Sequence, residues 1–233
     1  MSGVKWEAYR VGPAVGFTTL RSGGADADPL DAVRAFLDEA APGAEIARVH
    51  QVHGRGVHLA EAPAALPYPR ADALVTEKRG LALVVLTADC VPLLLADEGG
   101  RVAAAVHAGR RGALADVAGA ALEFVERWFS IEPSSLFARL GPAIGPCCYE
   151  VSDEIADEIA GRWGEGFVRR PPEGGPRLDL PGLVENQLLS RGVRPERLAV
   201  SGACTRCESG RYWSYRAQGD GAGRMASGVL LPG

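Results

Sequence analysis

The chain is organised around the stretch GLALVVLTADCVPLLLADEGGRVAAAVHAGRRG, residues 80–112. It contains short apolar runs at 81–86, 91–96 and 102–106, separated by turn-forming residues. Short aliphatic runs bounded by turn signals are typical of buried β-strands. We therefore expect neighbouring buried strands, with Cys90 and His107 each at the end of one.

A thiol and an imidazole on neighbouring strands indicate either a metal site or a Cys/His catalytic pair. Taken singly, each residue is better explained by a structural role, Cys90 as a buried thiol and His107 as a hydrogen-bonded core histidine. The choice between a functional and a structural role therefore depends on the sequence around Cys90 and His107.

Composition excludes several classes of protein. The chain has 233 residues, of which 47% are apolar, and this length predicts a single domain over 1–233. A net charge of −4 and a pI near 5.6 argue against a nucleic-acid surface. Asp89 and Pro92 interrupt the longest apolar stretch, so we expect no membrane span. The start of the chain has no apolar segment of a secretory signal, and five irregularly spaced cysteines favour reduced thiols and a cytoplasmic protein.

Before the central stretch, a first strand is expected at 15–20, followed by a turn at 21–24. Asp28 as N-cap and Pro29 as first helical residue predict a helix that runs to about Ala40.

A second upstream strand is expected at 46–52, pairing with 57–60 across a glycine turn. Alternation along a strand would place His50 and His53 on opposite faces, so at most one should enter a given site. His50 is therefore interpreted as structural. A further short strand is expected at 71–76.

After the central stretch, apolar residues recur at helical spacing and predict a helix over 113–129. Arg110 and Arg111 lie in the loop just before it, where helix N–H groups favour an anion. The alternative is two solvated arginines. Further on we expect strands at 136–140 and 198–203, helices after Ser152 and Asp179, and a terminal hairpin within 212–231.

The other cysteines form no recognisable set. Cys147 and Cys148 lie in a Gly-Pro-rich loop and are expected to be structural. Cys204 and Cys207 form a single CxxC, and nothing nearby completes a structural zinc site. We therefore expect neither zinc nor a disulfide at Cys204 and Cys207.

The pattern contains at least nine short strands and about four helices in irregular order, which predicts an α/β (α+β) protein with mixed sheets. Several motifs, taken together, resemble the laccase-domain family, also called polyphenol oxidase or multicopper-laccase-like proteins. They are QVHG at 51–54, TADCVPLLL at 87–95, VHAGRRG at 106–112, GPAIGPCCYEV at 141–151, CT at 204–205 and SYR…GRMAS at 214–227.

This resemblance implies a sandwich of two mixed β-sheets flanked by helices. It also implies a broad-specificity purine nucleoside phosphorylase that deaminates adenosine, with purine nucleosides and phosphate as substrates and S-methyl-5′-thioadenosine as a further one. The implied metal ligands are His53, Cys90 and His107, a donor set that suits zinc and would also accept copper.

Catalytic roles follow as hypotheses. Cys90 would act as metal ligand, Arg111 would bind phosphate with Arg216 as the second candidate, and Asp89 would shuttle a proton near the metal. An Asp beside a turn is also a common backbone cap. Arg110 stands where relatives carry Trp.

Other functions remain open. They are a copper-dependent polyphenol oxidase, a hydrolase that uses Cys90 with His107, and a non-catalytic metal-holding interaction protein. With four histidines in the chain, a His-rich trinuclear copper cluster cannot be built. A hydrolase of this kind would work without metal, whereas the zinc enzyme would not.

Overall fold

The structure is a computed structural model that describes residues 5–21, 24–63 and 65–233. The turn expected at 21–24 includes residues 22 and 23, which lie outside the described residues. The strands are β1 (Trp6–Val11), β2 (Ala14–Thr19), β3 (Glu45–Ala47), β4 (Val57–Leu59), β5 (Ala73–Thr76), β6 (Leu81–Thr87), β7 (Val91–Asp97), β8 (Ala103–Ala108), β9 (Leu136–Leu140), β10 (Val168–Arg169), β11 (Arg177–Leu178), β12 (Leu198–Val200) and β13 (Met225–Leu230). The α-helices are α1 (Pro29–Ala40), α2 (Arg110–Leu114), α3 (Val117–Phe129), α4 (Asp153–Trp163), α5 (Leu180–Ser190) and α6 (Tyr215–Gln218). Single 3-10 turns lie at Pro133–Ser135, Glu165–Phe167, Pro195–Arg197 and Gly219–Gly221. None of the helices in these ranges combines the length and the hydropathy needed to cross a bilayer.

Two mixed sheets form the centre of the fold. One has five strands in the order β1-β2-β13-β6-β3, and the other has six in the order β12-β9-β7-β8-β5-β4. Each sheet is antiparallel except at an edge, where β3 runs parallel to β6, and β12 and β4 run parallel to β9 and β5. The predicted sandwich of two mixed sheets is confirmed.

Side-chain alternation along the strands produces the layers. In β6, Leu83 and Val85 face the space between the sheets, whereas Val84 packs against the outer helix α1. In β7, Leu94 faces the same inter-sheet core, and Leu93 packs outward. Each central strand is therefore buried on both faces, which explains its nearly continuous apolar sequence.

The consecutive strands β6 and β7 belong to different sheets. The short connection between them, Ala88–Asp89–Cys90, crosses from one sheet to the other at the edge of the sandwich. The next strand, β8, pairs with β7 so that His107 lies opposite Pro92. This topology brings Cys90 and His107 to the same edge, as the sequence predicted.

Other elements confirm or correct the predictions. Helix α1 begins at Pro29 with Asp28 accepting the N–H of Leu30, as expected. The strand expected at 46–52 ends at Ala47, and β3 and β4 lie in different sheets instead of pairing with each other. A Gln51 side chain and a turn at His53, whose φ is 59°, replace regular pairing there.

Two predictions near the chain ends fail because they used local signals alone. The structure adds β1, an edge strand that precedes the first predicted one. Instead of closing a terminal hairpin, β13 inserts between β2 and β6 in the middle of a sheet.

The predicted helix at 113–129 is divided by Asp116, whose φ is 63° and whose carboxylate caps α3 by accepting the N–H of Gly119.

Candidate metal centre and cavity

His53, Cys90 and His107 meet at the edge of the sandwich. Their ligand atoms all lie within 4.8 Å of one another. The two imidazole rings are 4.8 Å apart between centroids and nearly perpendicular, at 81°. His107 is buried, Cys90 is half-buried and His53 is exposed, so the cluster opens on one side. Two imidazoles and a thiolate with an open side are typical of a catalytic zinc site.

Asp72 holds this cluster together, and sequence reasoning missed it. Its side chain is fully buried and accepts His107 Nδ1 at 2.9 Å. It also accepts the backbone N–H groups of His53 and Gly54, at 2.8 and 2.7 Å. With Nδ1 engaged, the Nε2 atom of His107 is left for the cluster. The available signal was a carboxylate inside the apolar segment ADALV.

Electrostatics favour the ligating form of the thiol. Burial acts to raise the pKa of Cys90, but hydrogen bonds to His107 and His53 outweigh it and lower that pKa to about 6. Burial acts to lower the pKa of His107, but hydrogen bonds to Asp72 and Cys90 outweigh it and raise that pKa to about 9. Without metal, Cys90 and His107 therefore form a thiolate–imidazolium pair at neutral pH.

Gly109 keeps the space beside the cluster open. A Cβ atom at this position would lie 2.8 Å from Cδ2 of His53 and 2.9 Å from Sγ of Cys90. Real Cβ atoms essentially never approach that closely. The glycine of the HAG motif is therefore explained by the room it leaves between the ligands.

The loop that carries His53 is attached to the other sheet by Gln51. Its amide donates to the carbonyl of Leu86 and accepts the N–H of Leu86, both at 2.8 Å. The side chain thus continues the hydrogen bonding of β6 and fixes the QVHG loop next to Cys90.

A cavity of about 610 Å³ opens onto the cluster. Besides the three ligands, its wall includes Arg48, Arg216 and Arg224, and the aromatic rings of Tyr149 and Tyr215. The buried Arg48 Nε has no hydrogen-bond partner among the described residues. The cavity thus combines cationic and aromatic surface beside the three candidate metal ligands.

The predicted phosphate ligand Arg111 lies elsewhere. It is exposed in the first turn of α2, and within the described ranges it is not among the residues that line this cavity. The loop before the helix winds into α2, which turns this side chain outward. Arg216, the second candidate, lines the cavity, with its guanidinium carbon 5.1 Å from the ring centroid of Tyr149.

His50 lines the same cavity as His53, contrary to the prediction. The expected alternation of the two residues requires a regular strand, and β3 ends before His50. His50 forms an isolated bridge with Arg70, and within the described part of the chain it does not belong to the cluster of ligand atoms.

Asp89 also lines the cavity, in a left-handed conformation with φ 88°. Its carboxylate accepts the Thr205 hydroxyl and the backbone N–H of Arg216, both at 2.6 Å. Asp89 therefore holds the C-terminal segment, including Arg216, against the site. This is the capping role that the sequence left open, and it keeps the carboxylate beside Cys90.

A second cluster contradicts the expectation that nothing completes the CxxC. Four cysteine sulfur atoms lie within 4.8 Å of one another, those of Cys147, Cys148, Cys204 and Cys207. The cysteines of each pair are close in sequence, but the two pairs are separated by about 60 residues. Only the tertiary structure brings them together, with all of them as free thiols.

Residues 16–232 match the family described as multi-copper polyphenol oxidoreductase laccase. The chain belongs to this family. The resemblance seen in the sequence is thereby confirmed, and the match covers the whole of the metal centre and cavity of this laccase-like chain.

Named relatives of this laccase-like chain are described as phosphorylases. It is 43% identical to purine nucleoside phosphorylase SCO2081 of Streptomyces coelicolor, over 94% of this chain and 90% of the relative. It is 39% identical to purine nucleoside phosphorylase ORF3 of Streptomyces griseus, over 97% of this chain and 92% of the relative.

Solved structures of laccase-like relatives share the fold. The crystal structure of YlmD from Geobacillus stearothermophilus superposes with a TM-score of 0.84 at 28% identity, covering 95% of this chain and 93% of that one. Neisseria meningitidis protein NMB0706 gives 0.82 at 28% identity, covering 98% and 100%.

Proposed function

We propose that this chain is a zinc-dependent purine nucleoside phosphorylase that also deaminates adenosine and cleaves S-methyl-5′-thioadenosine. The observation that carries the proposal is the His53–Cys90–His107 cluster at the wall of a cavity lined by arginines and tyrosines. The names of the relatives support the phosphorylase activity. The free thiols fit a reducing compartment, and we place the protein in the cytoplasm.

The residues fit the metal. Two imidazoles and a thiolate converge, Asp72 orients His107, and Gly109 leaves the space open. When bound, zinc would supply a Lewis-acid centre that lowers the pKa of water to about 7. The same donor set accepts copper, so metal content has to be measured.

In phosphorolysis, an oxygen of phosphate bonds to C1′ of the sugar while the bond from C1′ to the purine nitrogen breaks. The bonding electrons leave with the purine, which takes up a proton, and the products are the free base and a sugar 1-phosphate. Phosphate needs charge-assisted donors, which Arg48 and Arg216 offer on the cavity wall. Tyr149 and Tyr215 offer aromatic faces to the base.

In deamination, the oxygen of water bonds to C6 of adenine and the amino group leaves as ammonia. A group must take a proton from the water and pass it to the departing nitrogen. Asp89 is our candidate because its carboxylate lies beside Cys90 on the cavity wall. An Asp89→Asn variant should lose deamination, because an amide cannot accept and return that proton.

The test is turnover of adenosine and inosine by the purified protein, with and without phosphate, with products separated by chromatography. Free base should form only with phosphate, and inosine should form from adenosine without it. Arg216→Ala should raise the KM for phosphate, whereas Arg111→Ala, on the exposed α2, should not. The reverse pattern would return the phosphate site to Arg111.

Each of the alternative functions predicts a positive result in a different assay. Phenol-dependent oxygen uptake by copper-loaded protein without nucleoside cleavage would establish the oxidase. Activity on an ester or amide that survives complete metal removal would establish the Cys90–His107 hydrolase. Of the four histidines, all in the described residues, only His53 and His107 meet, which disfavours a multicopper cluster.

A further inference from the structure

Two loops meet below the cavity and carry all four of the remaining cysteines. Cys147 and Cys148 lie in the turn that follows Gly145, whose carbonyl accepts the N–H groups of Cys148 and Tyr149, both at 3.0 Å. Cys204 and Cys207 lie in the turn that follows β12. The loops are joined by an isolated bridge between Ala143 and Cys204.

The sulfur atoms converge on one point. The Sγ atom of Cys207 lies 3.6 Å from that of Cys147 and 3.4 Å from that of Cys148. All four sulfurs, including that of Cys204, are within 4.8 Å of one another. In a tetrahedral site with Zn–S bonds of about 2.3 Å, neighbouring sulfurs are about 3.8 Å apart. The cluster matches that spacing to within a few tenths of an ångström for the closest pairs.

We propose that Cys147, Cys148, Cys204 and Cys207 bind a second, structural zinc ion through their thiolates. Tetrahedral sites with four sulfur donors select zinc or iron, and four protein ligands leave no open position for a substrate. The Gly145 N–H already donates to Sγ of Cys204 at 3.3 Å, as backbone amides commonly do to thiolate ligands. This site is separate from the His53–Cys90–His107 cluster and shares no residue with it.

The position of the four-cysteine site indicates a structural role beside the cavity. The first loop carries Ile144 and Tyr149, which line the cavity. The second carries Thr205, which donates to Asp89 beside Cys90. A metal that joins the two loops would therefore hold one wall of the cavity and the segment that braces Asp89. The ion positions these residues and does not touch the substrate.

The experiment measures metal content and does not depend on the proposed enzymatic activity. Untagged protein is purified with zinc and a thiol reductant, freed of loose metal, and analysed by mass spectrometry. The wild-type chain should contain about two zinc ions. Cys207→Ser and Cys90→Ser should each lower this to about one, and the double variant should contain almost none. Arg206→Ala, in the same exposed turn, is the matched control and should keep about two.

A second measurement covers the case in which a variant folds poorly. Cobalt-substituted wild-type protein should show the intense visible bands of a tetrahedral tetrathiolate site, and these bands should survive Cys90→Ser. Hydrogen exchange at 143–149 and 203–208 should increase when that ion is chelated. The proposal is wrong if Cys207→Ser retains the wild-type zinc content, if iron occupies the sulfurs, or if fresh protein contains a Cys148–Cys207 disulfide.

Discussion

At the scale of single residues, Asp72 connects His53 with His107 in the His53–Cys90–His107 cluster, which we call the cavity site. We expect Asp72→Asn to weaken zinc binding there by about 10- to 100-fold. The amide has one acceptor oxygen. It can accept from His107 Nδ1 and the N–H of His53, which share Oδ1, or from the N–H of Gly54, which binds Oδ2, but not from all three, so part of the ligand orientation is lost. Competition with a chelating dye measures the affinity.

Asp97 provides the matched control. It is also buried, and it accepts the backbone N–H groups of Arg101 and Val102 at 2.6 and 2.7 Å in the turn after β7. Asp97→Asn should lower thermal stability without changing zinc affinity. Equal losses of affinity in the two variants would show that Asp72 acts only through stability.

The pKa shifts of Cys90 and His107 predict how zinc binding depends on pH. Cys90 is already a thiolate at neutral pH, whereas His107 holds a proton until about pH 9. Zinc must displace that proton, so affinity at the cavity site should rise roughly tenfold per pH unit from neutral pH and level off above about 9. Titration calorimetry of Cys207→Ser in buffers of different ionisation enthalpy counts the released protons.

The same shifts have opposite effects on the stability of the metal-free protein. Folding raises the pKa of His107 from 6.5 to about 9. His107 therefore contributes fully to the stability of the folded state below pH 6.5, and this contribution is lost as the pH rises towards 9. Folding lowers the pKa of Cys90 from 9.0 to about 6. Cys90 therefore contributes fully to the stability of the folded state above pH 9, and this contribution is lost as the pH falls towards 6. The pair should therefore add little net slope between these limits. A steep change in the urea midpoint that disappears in Cys90→Ser would contradict the ion pair.

At the scale of elements, the turn from β8 into α2 passes through Gly109. We expect Gly109→Ala to abolish metal binding at the cavity site while the fold survives. The added methyl group would occupy the space between His53 and Cys90, and the backbone φ of −74° is one that alanine readily adopts. Metal analysis and a thermal melt separate the two effects.

Gly161 is the control for that substitution. It lies in α4, and among the described residues a methyl group added there would meet no atom within 4 Å apart from its chain neighbours and the backbone of its own helix. Gly161→Ala should retain full zinc content and gain about 0.5–1 kcal/mol from helix propensity. Retention of cavity-site zinc in Gly109→Ala would show that the ligands can move apart.

At the scale of the whole molecule, β13 closes the five-stranded sheet between β2 and β6. Removal of 225–233 should abolish cooperative unfolding, because it opens the centre of the sheet and exposes the inter-sheet core around Val229. Removal of Pro232 and Gly233 alone should be tolerated, since among the described residues the only hydrogen bond to them is the one that Arg79 donates to the carbonyl of Pro232. Circular dichroism during heating distinguishes these outcomes, and a cooperative melt in the longer truncation would refute the central role of β13.

Local patterns in the sequence correctly predicted several strands and the start of one helix. The apolar runs around Cys90 and His107 became β6, β7 and β8, and the Asp28–Pro29 cap began α1 where expected. The motif resemblance named the three residues whose potential ligand atoms the structure brings within 4.8 Å of one another. The strands and the start of α1 depend on periodicity and capping chemistry, which can be seen in a linear chain. The three candidate ligands were implied by the family resemblance.

Contacts between segments that are far apart in sequence are seen in the tertiary structure and could not be predicted from local patterns. Asp72 reaches His107 across 35 residues, and Cys207 meets Cys147 across 60. The crossing between β6 and β7, and the insertion of β13 into mid-sheet, depend on burying both faces of two packed sheets. Such long-range pairings are selected by the free energy of burial over the whole core, which no local window of sequence contains.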